Sequence, residues 1–104
     1  MKLETKLIDA VEYVSTILNV TIVNEYKNIC KKMANTRNLY SHFYKMNKTQ
    51  EYLTEKEMNK FNPAIRTIFR ILFFVDIGID EKKVAENMLR NGYMTSWLSI
   101  LYSI

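Results

Sequence analysis

Apolar residues recur at three-to-four spacing from the start of the chain, where Leu3, Leu7, Val11, Val14 and Leu18 form a stripe that Ile8 and Ile17 widen. A 3.6-residue period gathers such positions on one face, so residues 3–18 are predicted to form an amphipathic helix. Glu4, Lys6, Asp9 and Glu12 fall on its wet side. A second stripe of Ile22, Tyr26, Ile29, Cys30 and Met33 predicts another helix, capped by Thr21 and ending near Ala34. Asn35 and Thr36 are both competent N-caps, and Leu39, Phe43 and Met46 then predict a short third helix reaching Met46.

The sharpest local signal is LTEKEM at 53–58. Thr54 is placed to cap, Glu57 to reach back to it, and Leu53 to staple onto Met58, so a helix is predicted to begin here. Asn62-Pro63 reads as a cap followed by a first-turn proline, opening a stretch that faces Ile65, Ile68, Phe69, Leu72 and Val75 inward and that Gly78 closes. Pattern alone leaves open whether 54–62 is separate or runs on through a proline kink. Asp80 caps a predicted helix over 81–90, with Ile79 and Val84 as its staple and Asn91-Gly92 as a left-handed terminus. A last helix is predicted from Thr95, where Trp97, Leu98, Ile100, Leu101, Tyr102 and Ile104 are apolar nearly all round, so it should insert among the others or be covered.

Two glycines and one proline in 104 residues leave little room for hairpin turns, while nearly half the residues are apolar and a quarter charged. The expected fold class is all-α, a compact bundle of five to six short helices, with residues 1–104 as a single helical domain. Lone Cys30 lies on an apolar face and is expected to be a buried thiol in a reducing compartment. No segment reaches the ~18 apolar residues of a membrane span, and MKLETKLID is unlike a secretory signal, so a cytoplasmic location is expected. Asn-, Lys- and Ile-rich usage suggests an A+T-rich genome such as that of a phage, a virus or a low-GC bacterium, the host cytoplasm being the location in the first two cases.

Charge changes this picture. Of fifteen basic residues, Lys27, Lys31, Lys32, Arg37, Lys45 and Lys48 fall between Tyr26 and Gln50, a segment without a single acid. A localised positive field attracts phosphate backbones or an acidic protein surface; otherwise it is a solvated helix face. The helix-turn-helix reading of 80–104 fails on chemistry, because TSWLSILYSI offers no Lys, Arg, Asn or Gln to base edges, which argues against sequence-specific DNA binding. One histidine and one cysteine do not assemble a zinc site, and Gly78 and Gly92 are too isolated for a phosphate loop, so no metal or cofactor is expected.

The only histidine lies in RNLYSHFY at 37–44. At helical spacing Arg37, Asn38, Ser41, His42 and Lys45 share one side, with Leu39, Phe43 and Met46 on the other. An imidazole beside a guanidinium can cut RNA without metal: histidine moves the 2′-hydroxyl or leaving-group proton and arginine steadies the phosphorane charge. Tyr44 could stack on a base or orient the phosphate. The pattern Arg37-Asn38-x-x-x-His42-x-Tyr44 resembles the motif of the HEPN superfamily. The resemblance implies an all-α bundle whose motif begins a helix, pairing of two copies, and, in many members, metal-independent RNA cleavage in toxins or antiviral defence. Read from the residues alone, the first expectation is a protein-interaction or regulatory module, such as an inhibitor or a subunit, with Lys27, Lys31, Lys32, Asn38, Lys45 and Lys48 as its binding face. The alternative is a HEPN-like RNase or RNA-binding protein acting as a dimer through Arg37, His42 and Tyr44.

Overall fold

The computed structural model describes residues 2–42 and 49–104. In chain order the elements are α1 (Leu3–Leu18), β1 (Thr21–Ile22), α2 (Tyr26–His42), α3 (Glu55–Asp76), α4 (Glu81–Arg90), α5 (Gly92–Leu98) and β2 (Tyr102–Ser103). This is the all-α bundle that the apolar spacing predicts, with one two-residue ladder added.

The stripe of α1 buries Leu7, Val11, Val14, Ile17 and Leu18. Asn19 then takes the left-handed conformation at φ 55°, and Val20 N–H closes the helix on the Ser15 carbonyl at 3.1 Å. α3 stops in the same way. Gly78, at φ 98°, donates to the Val75 carbonyl, and Ile79 donates to that of Phe74, both at 3.1 Å. These are the paired bonds of a Schellman terminus, as Gly78 leads one to expect. The Thr54–Glu57 capping box is also present in both directions, at 3.1 and 3.0 Å. α3 runs unbroken through Pro63, where the Thr67 hydroxyl donates back to the Pro63 carbonyl at 2.8 Å.

Three boundaries differ from those the sequence predicts. First, Asn35 and Thr36 do not start a helix, because α2 continues through them. The Thr36 hydroxyl donates to the Lys32 carbonyl at 2.7 Å and accepts the Leu53 N–H at 2.8 Å, while the Asn35 amide donates to the Glu51 carbonyl at 3.1 Å. Both side chains have partners across the fold, and neither Gly nor Pro interrupts the backbone. Second, Thr21 belongs to β1, and α2 starts only at Tyr26 after a Val23 turn closed at 3.2 Å. Third, Gly92 is not left-handed. Asn91 caps α5 by accepting from Tyr93 and Met94 N–H at 3.1 Å each, so this helix begins earlier and ends at Leu98.

Beyond Leu98 the chain makes a turn, closed by Leu101 N–H on the Leu98 carbonyl at 3.0 Å, and Leu101 and Tyr102 are inserted among the helices as the chain becomes extended at Tyr102–Ser103. Ile22 pairs with Tyr102 and Thr21 with Ser103, antiparallel, and Val23 N–H donates to the Leu101 carbonyl at 2.9 Å. Tyr102, almost wholly buried, donates its hydroxyl to the Val11 carbonyl at 2.8 Å, which satisfies the one polar atom it brings inside. Around it Val11, Val14, Cys30, Ala64, Ile68, Ile71 and Leu101 are shut off from solvent in one contiguous core. Each Val, Leu or Ile so buried contributes roughly 1.5–3 kcal/mol.

Candidate functional site

The motif occupies the C-terminal half of α2. Arg37, Asn38, Tyr40 and Ser41 are exposed, Leu39 is half-buried, and His42 is the last described residue of α2. Of His42 the structure describes the backbone; Tyr44, Lys45 and Lys48 lie outside the described residues. The motif therefore lies well inside α2, where the resemblance would have it begin a helix, because α2 does not break at Asn35.

Arg37 stands at the rim of a cleft of about 250 Å³ between the start of α1, α2 and α3. Leu3, Leu7, Met33, Leu53, Met58, Ile65 and Phe69 form its apolar walls, with Thr36, Arg37, Tyr40 and Asn62 as polar borders. Tyr40 at 65% exposed is an aromatic ring standing in solvent. It follows Arg37 by three residues, a spacing that places neighbours on one side of a helix, and that spacing is the signal by which sequence could have found it.

Of the predicted binding residues, Lys27 and Lys31 are exposed, with Lys27 Nζ 6.0 Å from the ring centre of its neighbour Tyr26. Lys32 is half-buried and faces Glu51 at 3.9 Å. Such a partly exposed pair is worth ~0–1 kcal/mol and leaves most of the local positive field in place. Lys27, Lys31 and Arg37 have no ion-pair partner among the described residues.

Elsewhere the titratable groups are structural. Burial, reinforced by Glu4 and Glu12, pushes the Cys30 thiol up to about 11, which keeps it protonated and unreactive. The Tyr26 hydroxyl donates to Glu12 and that of Tyr13 to Glu81, and these bonds raise both phenols. Among the described residues no three His, Cys, Asp or Glu side chains stand close enough to hold a metal ion, and no helix is long and apolar enough to cross a membrane.

With this geometry in view, the profile of the Apea-like HEPN family matches residues 1–83, which takes in α1, α2 and α3 and the opening of α4. No curated protein and no solved structure matches the chain.

Proposed function

We propose that this chain, which belongs to the Apea-like HEPN family, cuts single-stranded RNA without a metal ion, as a dimer. The observation that carries the reading is Arg37, exposed on α2 and unpaired among the described residues, five positions before the chain's only histidine within the stretch that the family profile covers. Family membership is what reverses the order of the two readings that the residues alone support.

His42 takes the 2′-hydroxyl proton as the 2′-oxygen attacks phosphorus, the bond from phosphorus to the 5′-oxygen breaks, and the leaving oxygen regains a proton. The products are a 2′,3′-cyclic phosphate and a free 5′-hydroxyl. Arg37 neutralises the charge that gathers on the phosphorane oxygens, and Asn38 donates a further hydrogen bond to them. In the dimer the two copies bring Arg37 and His42 to face each other across the interface. Lys27 and Lys31 steer the polyanion, a contribution that weakens with salt.

The test is digestion of a labelled single-stranded RNA in excess EDTA, with the mass of the active species measured by light scattering. The dimer cuts, His42→Ala abolishes cutting, and Arg37→Ala slows it by about 10²–10³-fold, the usual cost of removing a group that stabilises the developing charge. Cutting that survives His42→Ala, or a wild-type dimer that does not cut, refutes the proposal. A second reading, a protein-interaction module, is favoured by one feature. Tyr13, Phe69 and Phe73 are 46%, 50% and 59% exposed and border a shared apolar cleft of about 380 Å³. In that case His42→Ala leaves function intact and Phe73→Glu abolishes partner capture.

A further inference from the structure

α3 turns two arginines outward one helical turn apart. Arg66 and Arg70 are exposed and form no ion pair among the described residues. Opposite them α5 presents Trp97. Pro63, Arg66, Thr67, Arg70 and Trp97 line a cleft of about 190 Å³. An adjoining cleft of about 440 Å³ is bordered by Pro63 and Trp97 again, together with Asn59, Lys60 and Ser96. No carboxylate lines either cleft, so three cations and an indole occupy one stretch of surface with no local acid among the lining residues.

The exposure of the indole is the unexplained part. Trp97 is 41% exposed in a segment apolar enough to be buried outright, and Tyr93, one turn earlier, is 78% exposed with its ring centre 6.4 Å away. Both lie beyond residue 83, so the family match does not account for them. Flat aromatic faces beside unpaired guanidinium groups are the chemistry that holds unpaired nucleotides: bases stack on the ring and phosphates lie on the cations.

We infer that the Trp97 cleft is a subsite for unpaired RNA, seating one base against the indole while Arg66 and Arg70 hold the flanking phosphates. Its volume is below the roughly 300 Å³ at which pockets begin to enclose a whole small molecule, so it admits a single ring and leaves the rest of the strand outside. The strand has a route onward. Asn62, Arg66 and Arg70 follow one another at four-residue spacing along α3, and Asn62 also borders the Arg37 cleft. A chain seated on Trp97 can thus follow this row toward the cleft that Arg37 borders. The choice of RNA over DNA rests on the ribonuclease reading; the stacking and charge argument does not.

Trp97 is the only tryptophan, so fluorescence excited at the red edge of indole absorption, where tyrosine does not absorb, reports on this cleft. The full chain is titrated with a short oligoadenylate whose riboses are 2′-O-methylated and cannot be cut. Saturable quenching is expected, with log affinity falling linearly against log salt. In the Arg66→Gln/Arg70→Gln double variant the slope flattens by about 1.4, two phosphates at ~0.7 each. Both arginines are exposed, so this variant keeps the fold. With a dye-labelled oligomer, Trp97→Ala weakens binding by roughly 5- to 150-fold and Trp97→Phe retains most of it. Absence of quenching at low salt, or quenching unchanged in the double arginine variant, overturns the subsite. Quenching that grows with protein concentration without RNA assigns the face to a second copy and overturns it as well; an equal response to a phosphorylated peptide does the same. His42→Ala separates the two readings. If wild-type protein fails to cut while both forms quench, the nuclease is refuted and the subsite stands; cutting without quenching refutes the subsite alone.

Discussion

Replacing Thr36 by valine keeps the side-chain volume and deletes a single hydroxyl whose position decides how the bundle closes. Among the described residues that oxygen is the only partner of the buried Leu53 N–H, at 2.8 Å, and its own proton goes to the Lys32 carbonyl at 2.7 Å. The carbonyl lies inside a helix and keeps its backbone donor, so its loss is small. Leu53 has no such reserve. An amide left buried without an acceptor costs about 1–3 kcal/mol, and the extra methyl returns only part of that. With a urea dependence of roughly 1–3 kcal/mol per molar, the unfolding midpoint should fall by about 1 M at unchanged slope. Heat should show a drop of roughly 4–8 °C per kcal/mol. Hydrogen exchange locates the effect: the Leu53 amide should lose about tenfold protection per 1.4 kcal/mol in Thr36→Val and keep it in Asn35→Ala, whose bond to Glu51 is exposed. If Leu53 exchanges at the same rate in all three proteins, Thr36 does not latch the segment around Leu53.

Two further expectations follow from the buried and capping groups. Cys30, fully buried and with its thiol pushed up to about 11, should react with a chromogenic disulfide reagent at mildly alkaline pH only as fast as the protein unfolds; rapid stoichiometric labelling of native protein would contradict this. In the capping box, Thr54→Ala should cost about 0.5–2 kcal/mol by urea melts. The Glu57 carboxyl is held below its ordinary range, first by the Thr54 N–H bond. A lowered folded-state value contributes stability above the unfolded value near ~4.3 and loses it as pH falls through the folded one. The gap between wild type and Glu57→Ala should therefore close on acidification, and a gap that persists in strong acid would show the cap to be independent of the charge.

The residues of this fold were more legible than its joints. Periodicity placed α1, α3 and α4, and local caps sharpened the last two: Asp80 accepts from Lys82 N–H at 3.3 Å, Thr54 and Glu57 cap one another, and Gly78 supplies a left-handed terminus. Where the ends depend on distant partners, local chemistry misled. Asn35 and Thr36 have the side chains of caps, yet what they bond is the backbone of residues 51 and 53, contacts that no window along the sequence contains. The tail failed for a related reason. Uninterrupted apolar residues do not distinguish a buried helix from a buried strand, and the decision at Tyr102 came from β1, some eighty positions away.

The same distinction governs the candidate site. Arg37 and His42 could be found because an arginine and a solitary histidine are conspicuous by type, and the acid-free run around them by composition. Arg66, Arg70 and Trp97 are no less conspicuous by type, but the two arginines are dispersed along a helix that also carries Phe69 and Phe73, and the indole sits in a stretch that reads as core. What joins them is the packing of α5 against α3, and that packing depends on Asn91 starting a helix where a left-handed stop was expected. Had α4 ended in a left-handed Gly92, α5 would leave in another direction and Trp97 would not meet Pro63. One cap therefore fixes both the course of the C-terminal segment and the surface it shares with α3. Substitutions at Asn91, although remote from any cation, should disturb the Trp97 cleft before they disturb the motif on α2.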